Sequence, residues 1–211
     1  MGLDSTINWL RKYRTFSMRI VAVVGLLIIL FTEPSRVISP STESLYFLIG
    51  LVLIVAGVFG RIWAILYVLG RKNLKLVTSG PYSICRNPLY LCSVLISLGA
   101  AVMVKTALFF FVFFIPFLVS IILTISKEEL TLKARFGEAY RDFCSRVPRL
   151  FPAIWKFTNA RRVVEAKVKV SPKVVTFAIV EAFAFLLIIP FIKIVEALHA
   201  SEVIPVLWRV L

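Results

Sequence analysis

The chain alternates between long, unbroken apolar runs and short polar stretches. Apolar segments run from about Thr15 to Thr32, about Leu45 to Leu69, Pro88 to near Val104, Thr106 to Ser126, and Val174 to about Leu198. Each approaches the ~20 residues that an α-helix needs to cross a bilayer core. None shows the strict alternation of a barrel strand, so the runs predict helices. Only the region around Lys105 separates the third run from the fourth, which predicts a tight antiparallel helical hairpin. After the fourth run the pattern changes. Glu129, Leu132, Phe136, Tyr140 and Phe143 recur at helical spacing while charges fill the other positions. This predicts an amphipathic helix over 128–143.

Composition turns these runs into a class. Of 211 residues, 60% are hydrophobic and 17% charged. A soluble globule of this size cannot hide so much apolar side chain, and a disordered chain would not carry it. The expectation is an all-α, polytopic membrane bundle with five transmembrane helices and a cytoplasmic amphipathic helix. The first run has a basic flank, as a signal peptide would. Thr-Glu-Pro-Ser-Arg follows it without a small-x-small cleavage pattern, so it reads as a retained span.

The net charge of +14 would suggest nucleic acid in a soluble protein. No aromatic-rich polar platform accompanies it, so membrane lipids are the expected partner and nucleic acid is not. Residues 1–19, 70–87 and 127–173 together carry twenty Lys and Arg, while the alternate connections carry three, Arg36, Lys105 and Arg209. The positive-inside rule then places the amino terminus in the cytoplasm and the carboxyl terminus on the opposite side. The two substantial polar segments, 70–87 and 127–173, fall on the cytoplasmic side, where chemistry is expected.

Two blocks there are candidates. The first runs from Leu76-Val77-Thr78-Ser79-Gly80-Pro81-Tyr82 through Arg86-Asn87-Pro88-Leu89-Tyr90. Gly80-Pro81 is a turn signal, Asn87 a helix cap, and Pro88 a first-turn proline. Taken singly, a turn, a cap and an interfacial aromatic belt account for these residues. The second block holds Glu128-Glu129 at the end of a span, then Phe136-Gly137-Glu138-Ala139-Tyr140, and closes on Arg146-Val147-Pro148-Arg149-Leu150-Phe151-Pro152. An interfacial helix does not explain paired carboxylates beside an anionic head-group layer; they need a cation.

In this order and spacing the blocks resemble the isoprenylcysteine carboxyl methyltransferase and phospholipid methyltransferase group of integral membrane enzymes. Gly60-Arg61-Ile62-Trp63-Ala64 with Leu69-Gly70 looks like that family's approach to the first block. The likeness covers 57–152 of what reads as a single membrane domain over 1–211. Beyond it lie a basic connector, 153–173, and an additional helix, 174–198. The resemblance implies S-adenosylmethionine as cofactor, bound on the cytoplasmic side, and methyl transfer to a lipophilic acceptor. It carries the cofactor contacts onto Leu74, Lys75, Leu76, Val77, Tyr82, Asn87, Pro88, Leu89, Tyr90 and Glu128, with Glu129 as a further candidate. No residue is assigned a catalytic role; Tyr82, Asn87 and Tyr90 are positioning candidates. Many members have His where this chain has Asn87, which hydrogen-bonds but does not titrate. Thr124 stands where prenylcysteine enzymes place an Arg for the substrate carboxylate, which weighs against a prenylcysteine acceptor. Carboxyl O-, lipid amine N- and thiol S-methylation all remain open.

Other features carry less. His199 is the only His and makes no metal site by itself, and no metal is expected. Cys85, Cys92 and Cys144 read as free thiols. Glu181, inside the fifth run, should face protein. An interhelical hydrogen bond, a pairing with Arg61 and a substrate role compete for it, with the pairing favoured. Lys193 and Glu196 are spaced to pair. The alternative function is a non-catalytic membrane scaffold or transporter-associated protein that keeps the fold. A sterol-type reductase would need a nicotinamide site, for which the sequence offers no residues. Oligomeric state is not readable from the sequence.

Overall fold

The computed structural model describes residues 19–34, 39–68, 76–151 and 172–210. The predicted cofactor contacts Leu74 and Lys75, and nearly all of the basic connector, lie outside them. The described chain is mostly helical. Its elements are α1 (Arg19–Phe31), β1 (Thr32–Pro34), α2 (Pro40–Val68), a 3₁₀ turn (Gly80–Ser83), α3 (Pro88–Val104), α4 (Ala107–Arg146), α5 (Pro172–Ala200) and β2 (Trp208–Val210). Helices α2, α4 and α5 are long and apolar enough to cross a membrane, while α1, over its described length, and α3 are shorter. At 17 residues, α3 spans about 25 Å.

Two elements depart from the all-helical expectation. Strands β1 and β2 pair in parallel, Thr32 opposite Trp208. Each has three residues, too short to leave a periodic signal.

Helices α2 and α3 form the centre because their backbones can touch. A Cβ on Gly50 would stand 2.8 Å from the Gly99 carbonyl, and one on Gly99 2.7 Å from the Gly50 carbonyl. Small residues give this close approach where lipid supplies no hydrophobic drive between helices. Ile54, Val58, Ile96 and Ala100 fill the seam, and Phe109 and Phe114 of α4 close over it. The hairpin turns on Lys105, in the left-handed region at φ 61°, followed by extended Thr106.

Helix α4 continues past the membrane-length run, so the predicted amphipathic helix begins as its extension. Residues Phe110–Phe114 form a π-turn just before Pro116. Pro116 lacks an N–H and crowds the carbonyl four residues back, and the wider turn relieves that clash. A second irregularity, at Gly137 (φ 52°, ψ −122°), bends the extension. Helix α5 is interrupted at Leu187, three residues before Pro190.

Charges in the bundle are paired. Arg61 of α2 meets Glu181 of α5 and donates to the Ser93 hydroxyl of α3. At the opposite end, the Lys105 ammonium lies 2.9 Å from both Glu43 and Glu196, and Lys193 reaches Glu196 at 2.6 Å. His199 is buried there, Nε2 2.9 Å from the Leu30 carbonyl.

Candidate functional site

The two sequence blocks meet at one end of the bundle and enclose a cleft of about 350 Å³. One wall is the segment before and into α3: Leu76, Val77, Tyr82, Arg86, Asn87, Pro88, Leu89 and Tyr90. The other is the α4 extension, with Glu128, Thr131, Leu132, Phe136, Tyr140 and Phe143. Val68, at the end of α2, also borders the cleft.

The periodic face predicted for 128–143 is what forms the second wall. Tyr140 and Phe143 are buried with Val147, and Leu132, Phe136 and Leu76 pack on them. The face therefore turns onto protein. Leu130, on the other side of the helix, is left 68% exposed.

The two neighbouring carboxylates have different surroundings. Glu128 borders the cleft and makes no ion pair among the described residues. Glu129 is not among the cleft residues, but it pairs with Arg86 and Asn87, which are, and with Arg149 of the following tail. Its Oε1 lies 3.2 Å from the Arg86 guanidinium and accepts from Asn87 Nδ2 at 3.2 Å, while its Oε2 lies 3.1 Å from Arg149 Nε. Arg149 also donates to Ser126 Oγ at 2.6 Å, and Arg86 reaches Cys144 Sγ at 2.8 Å. One carboxylate thus collects two guanidiniums and an amide from two segments, which orients both against α4.

Asn87 corrects an expectation. It stands at the N-cap position of α3, and its carbonyl accepts from the N–H of Tyr90 (3.2 Å) and of Leu91 (3.1 Å). Its side chain makes no cap hydrogen bond. The amide donates instead to the Arg149 carbonyl at 3.0 Å and to Glu129. With φ −126° and ψ 57°, Asn87 lies outside the extended region usual for a side-chain cap, and its amide is oriented instead by the acceptors that take its Nδ2, Glu129 and the Arg149 carbonyl.

That tail, Val147–Phe151, is held by its backbone. The Arg86 N–H donates to the Pro148 carbonyl at 2.9 Å, and the Cys85 thiol to the Leu150 carbonyl at 3.1 Å. Burial pushes the Cys85 thiol up to about 11, so it stays protonated and is a structural donor near neutral pH. Burial, and then the charge of Glu128, raise the Tyr82 phenol well above its ordinary value. Burial, and then Glu129, do the same for Tyr140. Both phenols stay neutral, available to donate a hydrogen bond.

Leu76, Val77, Tyr82, Asn87, Pro88, Leu89, Tyr90 and Glu128 therefore share one cleft, and Glu129, not a cleft residue itself, pairs with Asn87. Sequence reasoning named neither Arg86 nor the aromatic residues of α4 as contacts. The signal was present for both: Arg86 opens the motif Arg86-Asn87-Pro88, and Phe136, Tyr140 and Phe143 lay on the face already recognised. Thr124 is not among the cleft residues; its hydroxyl donates to the Ser120 carbonyl at 2.7 Å. Among the described residues no group of three or more His, Cys, Asp or Glu could hold a metal ion.

Comparison with known proteins adds the following. A family model described as phospholipid methyltransferase matches residues 44–139. Two curated proteins are similar over most of the chain. The cobalt-zinc-cadmium resistance protein CzcN of Cupriavidus metallidurans is 34% identical over 154 residues, covering 72% of this chain and 70% of that one. The nickel-cobalt-cadmium resistance protein NccN of Alcaligenes xylosoxydans xylosoxydans is 31% identical over 152 residues, with the same coverage. No solved structure is a significant match.

Proposed function

The chain belongs to the phospholipid methyltransferase family, and from that premise we propose that it is a membrane methyltransferase using S-adenosylmethionine and a lipophilic acceptor. The observation that carries the reading is the cleft where both sequence blocks converge, with Glu128, which makes no ion pair among the described residues, on one wall and the amino end of α3 on the other. Its volume lies in the ~300–1,000 Å³ range of small-molecule sites.

The residues fit the cofactor's chemistry. Glu128 suits its amine. The amino end of α3 suits its carboxylate. The rings of Tyr82, Tyr90 and Phe136, with Leu76 and Val77, offer apolar surface for its adenine. When bound, the cofactor supplies an electrophilic methyl group on a sulfonium. The chain's own part is to bind, orient and exclude water. Glu128 fixes one end of the site, and the Glu129 cluster holds the α4 extension against the α3 segment so that the walls keep their spacing. Alignment and dehydration account for most of the rate of such a transfer, and no nucleophilic side chain is required.

In this reading α1 to α5 are five spans. The amino terminus and the cleft are cytoplasmic, the carboxyl terminus is on the other side, and the acceptor approaches laterally from the bilayer. A reporter fused after Leu211 is expected outside the cytoplasm; a cytoplasmic signal there would remove α5 from the spans.

The decisive experiment is isothermal titration of the detergent-purified chain with S-adenosylhomocysteine. Saturable binding is expected, and its absence from folded protein would overturn the reading. The names of the two relatives favour a second reading, a non-catalytic companion of metal-resistance machinery. That reading predicts full metal tolerance in cells carrying Glu128→Ala, whereas the enzymatic reading predicts its loss wherever the chain contributes to tolerance.

A further inference from the structure

Neither Arg61 nor Glu181 borders the cleft, yet the pair holds a residue that does. Arg61, on α2, sends its two terminal nitrogens to different helices. NH2 meets Glu181 Oε1 of α5. NH1 donates to Ser93 Oγ and, at 3.3 Å, to the Leu89 carbonyl, both on α3. Ser93 Oγ donates to the same carbonyl at 3.0 Å. Phe185 of α5 backs the guanidinium, its ring centre 5.0 Å away. A guanidinium and a carboxylate that face each other squarely form two parallel bonds. Here Arg61 Nε and Glu181 Oε2 are buried without hydrogen-bond partners, so only one is made. The guanidinium instead bridges α5 to α3.

Leu89 is held by its side chain as well. It packs, with Leu66, against Ile65, Val174 and Ala178, the last two from α5. Leu89 is the second residue of α3, and it borders the cleft together with Asn87, Pro88 and Tyr90. Pro88 has no N–H, and the N–H groups of Tyr90 and Leu91 go to the Asn87 carbonyl. Among the described residues this leaves the Leu89 N–H as the first-turn donor without a backbone acceptor. An anion at the amino end of α3 would take that donor. The residue that offers it is the one whose carbonyl Arg61 holds and whose side chain packs on α5.

We infer that Glu181 is a positioning residue for the cleft. Through Arg61 it fixes the first turn of α3, and with it the Leu89 N–H, for the carboxylate of the cofactor. Helix α5 lies beyond the family-matched residues 44–139, and this gives it a task at the cleft wall. The tether needs arginine. A lysine at 61 would keep the charge but present a single nitrogen, which does not span both helices as the guanidinium fork does. That the turn meets a cofactor rests on the transferase reading above; the hold of Glu181 on the turn does not.

The test uses the full chain in detergent and two readouts, S-adenosylhomocysteine affinity by titration calorimetry and hydrogen exchange at the Tyr90 and Leu91 amides. In Glu181→Gln the affinity should fall about tenfold, on the scale of one charge-assisted hydrogen bond. The two amides should exchange about tenfold faster, while those of Gly99–Val104 at the other end of α3 keep their rates. Arg61→Lys should do the same. Glu181→Gln leaves Arg61 without its carboxylate and can fail to fold. The double variant Arg61→Met/Glu181→Leu leaves no charge unpaired, so it should unfold near the parent midpoint and still show both changes. Lys105→Ala, weakened at the opposite end of the bundle, should show neither. Unchanged first-turn exchange in the double variant, or faster exchange with unchanged affinity, overturns the inference. So does an equal loss of affinity in Lys105→Ala, which would make it a matter of stability alone. If the parent chain does not bind S-adenosylhomocysteine but its first-turn exchange responds as stated, the transferase reading falls and the hold of Glu181 on α3 stands.

Discussion

The two ends of the helical bundle are both rich in charge and differ in what the charge does. At the end opposite the cleft, Lys105 is shared by Glu43 and Glu196, Lys193 also pairs with Glu196, and His199 is held by the Leu30 carbonyl. Those groups hold one another and join α2, the α3–α4 turn and α5. At the cleft end the same economy applies to Glu129, which binds Arg86, Asn87 and Arg149 at once. Its neighbour Glu128 is left facing the cleft. A closed network stabilises, whereas Glu128 borders the cleft with no ion pair among the described residues. The adjacent pair Glu128-Glu129 divides these roles because successive helix positions point about 100° apart.

Substitutions can break that comparison. The largest effect is expected from Glu129→Ala. It leaves two guanidiniums facing each other without their carboxylate and should cost about 3 kcal/mol, the low end for breaking a buried pair because Arg149 is partly exposed. Chemical unfolding in detergent would measure it, and S-adenosylhomocysteine affinity should fall too, because the cleft walls lose their tie. An unchanged unfolding midpoint would show that Glu129 does not hold the cluster together.

Glu128→Ala should do the reverse. Its unfolding should match the parent chain, while S-adenosylhomocysteine affinity drops about thirtyfold, roughly the 2 kcal/mol of a charge-assisted hydrogen bond. Titration calorimetry checks this. Normal affinity in a folded variant would move the cofactor amine elsewhere in the cleft.

Lys105→Ala, at the closed end, should lower stability by about 1.5 kcal/mol, since Glu43 is half exposed and part of the interaction is screened. Cofactor-product affinity should not change. A matching loss of affinity would mean that the two ends are coupled through α3.

Asn87→Ala removes an amide that links the docked tail to Glu129 and should cost about 1 kcal/mol in unfolding free energy. Asn87→His should retain part of that link.

The smallest effect concerns pH. Burial raises the Cys85 thiol from its ordinary 9.0 to about 11. Above pH 9 the unfolded thiol loses its proton while the folded one keeps it, so the unfolded state binds fewer protons and stability falls as pH rises through that window. Stability against pH from 8 to 11 should decline less steeply in Cys85→Ala than in the parent chain.

Much was determined by the sequence alone. Uninterrupted apolar runs could only be helices in a bilayer, because no other open element satisfies its own backbone there. The spacing from Leu132 to Phe143 located a buried face, because helical periodicity is local. Motif order located the cleft, because the block ending in Arg86-Asn87-Pro88 and the block opening at Glu128 converge on it. Tertiary structure decided what depends on partners far along the chain. It put Glu128 on the cleft and Glu129 in the basic cluster, since that difference depends on where Arg149 returns. It took the Asn87 side chain from the helix cap to the tail, because the Arg149 carbonyl arrives 62 residues later. It paired Arg61 with Glu181 across 120 residues and left that pair half made. Each of these is a competition for hydrogen bonds between groups that only the folded chain brings together, and no local pattern records its outcome.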